Sequence, residues 1–138
     1  MTRVLVVNHD IDLADEEVDS LRRRGYDVVE CLGPIGAHCP ILAGRPCTLA
    51  EEADVLVYDA WVTGEPDGAQ RLIEGLRDIH PNVPVVLTAS GIEPQWIETI
   101  GAHRVTPLVG TPTGPRLAAA IEDAIAKPRA FLEAAAVD

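Results

Sequence analysis

The run Ala-Asp-Val-Leu-Val-Tyr-Asp at 53–59 constrains the fold more than any other stretch of the chain. Its apolar residues are continuous rather than alternating, so the strand it predicts is buried on both faces. Such a strand belongs inside a parallel sheet with helices packed above and below. The run also ends on a carboxylate, Asp59. In open α/β sheets, ligands and chemistry collect just outside the carboxyl ends of the strands, and Asp59 stands at such an end.

The rest of the chain fits that frame. Apolar β-rich runs at 3–7, 27–30, 54–58, 84–88 and 104–108 alternate with helical patterns, the layout of βαβ units. The first helix is expected to follow Asp12 as N-cap and to end at Gly25, with Leu13, Val18 and Leu21 as its core stripe. Another follows Asp67, with Leu72, Ile73, Leu76 and Ile79 at helical spacing and Pro81 and Pro84 as its stop. A short helix is expected from Pro94 through Trp96, Ile97 and Ile100. A last one spans 115–126 on Leu117, Ile121 and Ile125, interrupted by Pro128. The tail, 127–138, carries Phe131 and Leu132 for docking. The fold class expected is α/β, a doubly wound five-stranded parallel sheet in a three-layer sandwich, with one domain over 1–126.

Charge and composition narrow the partners. A net charge of -11 leaves no basic face for a nucleic-acid backbone. No apolar run approaches the ~20 residues of a membrane span, and the N-terminal run is too short for a signal peptide. A cytoplasmic protein is the expectation, with its three cysteines as reduced thiols.

One interval breaks the alternation. Residues 31–47 read CLGPIGAHCPILAGRPC, and three Gly and three Pro within 17 residues exclude a continuous helix. An irregular loop over 31–53 therefore replaces most of the second crossover helix. Only Thr48 onward, with a Thr48-x-x-Glu51 capping box, offers a helical turn. A loop of that length in a compact domain is usually functional or mobile.

The order of these segments resembles the receiver domain of bacterial response regulators, over nearly the whole chain. VLVVNHDIDL resembles the family's first strand and acidic turn, and DVLVYDAWVTGEPDG its phosphoacceptor strand and following loop. NVPVVLTAS resembles the fourth strand with its switch hydroxyl, and IGAHRVTPL the segment leading into the fifth. The resemblance implies a flavodoxin-like, receiver-like sandwich, with Asp59 at the phosphoacceptor position and Asn8, His9, Asp10 and Thr88 around it.

The family's chemistry also says what such a pocket needs. A phosphoryl-accepting aspartate requires magnesium held by an acidic pair, a lysine that meets the phosphoryl oxygens, and a Thr or Ser hydroxyl. Here the acidic pair falls on Asn8 and His9, with Asp10 one residue further on. The lysine position falls on Leu108 or Gly110, and the chain's only lysine is Lys127. Arg104 and Arg116 do not take its place. Magnesium is accordingly not expected. Thr88 reads either as the switch hydroxyl or as a strand-end residue that bonds local backbone.

The loop cysteines carry the other candidate chemistry. Cys31, Cys39 and Cys47 are separated by seven residues each, and His38 adjoins the middle one. Three thiols and an imidazole can complete a tetrahedral zinc site or hold an iron–sulfur cluster, although the spacing is not that of the common zinc modules. The other readings are small buried hydrophobes, or a redox pair such as Cys39 with Cys47.

The expected function is a non-enzymatic signalling module, a stand-alone degenerate receiver that acts through a protein partner or as a homodimer. The alternatives are a metal or redox sensor built on Cys31, Cys39 and Cys47, and an atypical receiver phosphorylated on Asp59.

Overall fold

The structure, a computed structural model, describes residues 2–8, 11–31, 39–41, 43–59, 68–80, 82–89, 105–109 and 112–137. Five strands form one all-parallel sheet: β1 (Arg3–Val7), β2 (Asp27–Cys31), β3 (Val55–Asp59), β4 (Val85–Ala89) and β5 (Val105–Val109). Their order is β2-β1-β3-β4-β5, so the chain winds outward in both directions from the β1/β3 pair. That pair is the topological switch point, where the loops above the sheet diverge and leave a crevice. The helices are α1 (Ile11–Arg23), α2 (Thr48–Glu52), α3 (Gly68–Ile79) and α4 (Gly114–Val137).

Side chains alternate across the sheet and divide the core into two layers. On one face Val4, Val6, Val55, Val57, Val86 and Leu108 meet Val18 and Leu21 of α1 and Leu117, Ile121 and Ala124 of α4. On the other, Leu5, Val7, Leu56, Tyr58, Val85 and Leu87 meet Ala50 of α2 and Leu72, Ile73 and Leu76 of α3. β3 is buried at all five positions, as its unbroken apolar run requires. Each fully buried Leu or Ile here contributes about 1.5–3 kcal/mol of transfer free energy.

Element ends depart from expectation in informative ways. α1 begins at Ile11 and holds Asp12 in its first turn, so Asp12 is not the N-cap. Its carboxylate still favours the positive end of the helix dipole. The far end stops as expected: Gly25 takes φ +94°, donating to Arg22 O at 3.0 Å while Tyr26 N donates to Leu21 O at 3.1 Å. This is a Schellman closure, which a residue with a Cβ enters only at a cost. α4 is a single helix that runs through Pro128 instead of stopping before it. Proline removes one backbone donor, and the alanines around it (124, 126, 130 and 134–136) are the strongest helix formers available.

The described part of the cysteine interval, residues 31, 39–41 and 43–47, carries regular hydrogen bonds. Cys31 completes β2, paired with Val7 of β1. Farther on, Gly44 N donates to Ile41 O at 3.0 Å and Arg45 N to Pro40 O at 2.8 Å, with Gly44 at φ +79°, a second Schellman closure. Thr48 does not form the capping box. The N-cap is Cys47, which makes no side-chain cap bond, and its backbone N–H donates to His80 Nε2 at 3.1 Å.

Ile41, only 4% exposed, drives this turn into the core beside α3. A Cβ placed on Gly75 would lie 2.7 Å from Ile41 Cγ2 and 3.3 Å from its carbonyl oxygen. Gly75→Ala is therefore expected to destabilise the protein by about 1–3 kcal/mol through overpacking. It does so despite alanine's better helix propensity of about 1 kcal/mol. Urea denaturation reads the difference, and a gain in stability would show that the turn yields freely.

Candidate functional site at the carboxyl end of the sheet

Strand register gathers the polar residues predicted for the site. Asp59 pairs with Thr88, and Thr88 with Leu108. Val7 pairs with Tyr58, which sets Asn8, the next residue, level with Asp59 across the switch point. Asn8, Asp59, Thr88 and Leu108 thus form one row at the carboxyl end of four strands. Alternation from Val6, Val57 and Val86 turns that row toward the α1/α4 face.

The row is enclosed rather than open. Asn8 is 1% exposed, Asp59 6%, Thr88 2% and Leu108 8%. The Asn8 backbone N–H donates to Cys31 O at 3.3 Å, which ties the end of β1 to β2. The Thr88 hydroxyl donates to Tyr58 O on the neighbouring strand β3 at 3.3 Å, a buried cross-strand bond. His9, Asp10, Arg104, Gly110 and the helix expected from Pro94, with Trp96, Ile97 and Ile100, lie outside the described residues. Phe131 and Leu132 fall on α4.

A further buried carboxylate, outside the residues that the sequence pattern singles out, feels the charge of Asp59. Glu17 of α1 is 4% exposed, and neither of its oxygens has a hydrogen-bond partner among the described residues. The buried positions of α1 are Ala14, Glu17, Val18 and Leu21, so Glu17 occupies a core position in the stripe. The spacing 14, 17, 18, 21 is itself helical and is the signal in the sequence that points Glu17 inward. Burial pushes its carboxyl up to about 7, and the charge of Asp59 pushes it the same way. Glu17 also lines a cleft of about 400 Å³ between α1 and the start of α4, with Glu16, Asp19, Ser20 and Thr113.

Of the acidic-turn positions implied for magnesium, Asn8 is described, while His9 and Asp10 lie outside the described residues. Asn8 offers a neutral amide where a carboxylate is required, and hard divalent cations favour charged oxygen ligands. Among the described residues no group of three or more His, Cys, Asp or Glu can hold a metal ion. That statement includes Cys31, Cys39, Cys47 and His80, while His38 lies outside it.

The three cysteines nevertheless flank the same core layer. All are free, partly exposed, and packed against the core layer that contains Tyr58. Burial holds the Tyr58 phenol well above its ordinary range, and Cys47, Cys31 and Cys39 act on it in the same direction. Cys31, Val7 and Tyr58 lie in one lateral row of the sheet.

No family model matches the chain. No curated protein matches it either. Solved structures do. The N-terminal domain of a response regulator/sensory box/GGDEF three-domain protein from Carboxydothermus hydrogenoformans superposes with a TM-score of 0.69 at 22% identity, covering 99% of this chain and 100% of that one. A response regulator receiver protein from Sinorhizobium medicae gives 0.67 at 22% identity, over 92% and 96% of the two chains. NtrX from Brucella abortus gives 0.69 at 23% identity, and there this chain spans all of its own length but 30% of NtrX. No helix among the described residues is long and apolar enough to cross a membrane. With its strand order, its two helical layers and these neighbours, the chain has the receiver-domain fold of response regulators.

Proposed function

We propose that this protein is a signalling module of the receiver type that has given up phosphoryl chemistry and acts by binding another protein. The observation that carries the reading is the charge balance around Asp59. A phosphorylated aspartate would add negative charge to a site that already holds a second buried carboxylate, Glu17, a few residues along α1. The groups that offset it in the family are changed in this sequence: Asn8 and His9 stand at the acidic pair, and Leu108 or Gly110 at the position implied for the lysine. Added negative charge in a site this enclosed is costly to bury. Thr88, with its hydroxyl engaged by Tyr58 O, supports the same reading. Such a module is non-enzymatic, and its output passes through its surface to a protein partner.

Incubation of the full chain with acetyl phosphate or beryllofluoride in the presence of magnesium tests this. The expected result is an unmodified mass and no chemical-shift change at Asp59 or Thr88. A stoichiometric aspartyl-phosphate or beryllofluoride adduct on Asp59 would overturn the reading in favour of an atypical phosphorylated receiver.

A further inference from the structure

We propose that Cys39 and Cys47 are an oxidisable thiol pair, which a peroxide converts to a disulfide that staples the crossover between β2 and β3. The chain path reverses between the two residues. After Cys39 the backbone turns through Ala43 N to Cys39 O at 3.3 Å, Gly44 N to Ile41 O at 3.0 Å and Arg45 N to Pro40 O at 2.8 Å. The last bond returns Arg45 to the level of Pro40, so the chain reverses between the two cysteines. Ile41, buried at the middle of the turn, anchors it to the core. His80 holds the Cys47 backbone from α3.

Both side chains pack against the same wall of the core, and both are partly exposed, which a peroxide needs. The third thiol is held differently. Cys31 is a sheet residue, paired with Val7, and its carbonyl accepts from Asn8 N at 3.3 Å. It sits two strands from Tyr58, about 10 Å across the sheet at the usual strand spacing. A disulfide needs Cα atoms about 4.4–6.8 Å apart, a distance a short turn adjusts to more readily than a strand.

The chemistry balances without any other reactant. The sulfur of one cysteine, as thiolate, attacks a peroxide oxygen. The O–O bond breaks, giving a sulfenic acid and, with a proton, water when the oxidant is hydrogen peroxide. The second thiolate then attacks that sulfur, the S–O bond breaks, and a second water leaves as the S–S bond forms. The two thiols together lose two electrons and two protons, and the peroxide takes up both.

The test exposes the reduced full-length protein to a small molar excess of hydrogen peroxide, alkylates what remains and maps the peptides by mass spectrometry. The expected product has lost two hydrogens, contains a Cys39–Cys47 cross-linked peptide, leaves Cys31 alkylated and reverts with dithiothreitol. Cys39→Ser and Cys47→Ser should each abolish the cross-link, and Cys31→Ser should keep it. A disulfide that includes Cys31, or oxidation that stops at sulfinic acid, would overturn the proposal. So would stoichiometric zinc or iron in the purified protein that shields the thiols. None of these outcomes bears on Asp59, so the signalling reading stands or falls separately.

Discussion

Replacing Glu17 with leucine is expected to stabilise the protein by about 3 kcal/mol more near pH 8 than near pH 5. The size follows from the carboxyl, which ionises near 4.5 in the unfolded chain and at about 7 in the folded one. The sign follows from proton counting. Between those two values the folded state holds a proton that the unfolded state has released, so stability falls as pH rises through the window. Below about 4.5 both states are protonated, and above about 7 the penalty is complete. Leucine removes the titrating group and flattens the curve, and it fills a core position that Ala14, Val18 and Leu21 already define. Glu17→Gln should also flatten the curve but stabilise less, because an amide buried without a partner keeps part of its desolvation cost. Urea midpoints for the three proteins across that pH range are sufficient. Parallel curves for the natural chain and Glu17→Leu would mean that Glu17 finds a partner in solution.

The sheet was legible in the sequence because both layers are built on unbroken apolar runs. The run at 53–59 admitted one placement, and Arg3–Val7 another. Strand ends were less legible: β2 ends one residue later than expected, and β3, β4 and β5 are each displaced by one residue at both ends. Asp59, Asn8 and Thr88 could be placed by counting from strand ends, and register confirms that they share a row. Glu17 could not be placed by residue type. A glutamate in an acidic helix reads as solvated, and only the stripe shared with Ala14, Val18 and Leu21 turns it inward. The same limit applied to the cysteines. Even spacing said nothing of a fold, whereas Gly44 at positive φ decides how the chain between Cys39 and Cys47 reverses.

Asn8→Asp should destabilise the protein by about 3 kcal/mol near pH 8, the scale of a charge newly buried beside another carboxylate. Asn8 is 1% exposed and level with Asp59, so a carboxylate there joins two acids already enclosed at the same end of the sheet. Its folded-state ionisation would be raised by burial and by its neighbours. The cost should therefore be small below about pH 4, where both states are protonated, and grow as pH rises. The informative measurement is the double-mutant cycle with Glu17→Leu. If Glu17 contributes charge to the site, Asn8→Asp should cost less in the Glu17→Leu background, with a coupling of about 0.5–3 kcal/mol that vanishes at low pH. Additive effects at every pH would separate Glu17 from the Asp59 site and remove the main support for a receiver that cannot accept a phosphoryl group. A pH-dependent coupling would mean that the negative charge opposing phosphorylation comes from a core residue of α1, outside the loops where an active pocket would be sought.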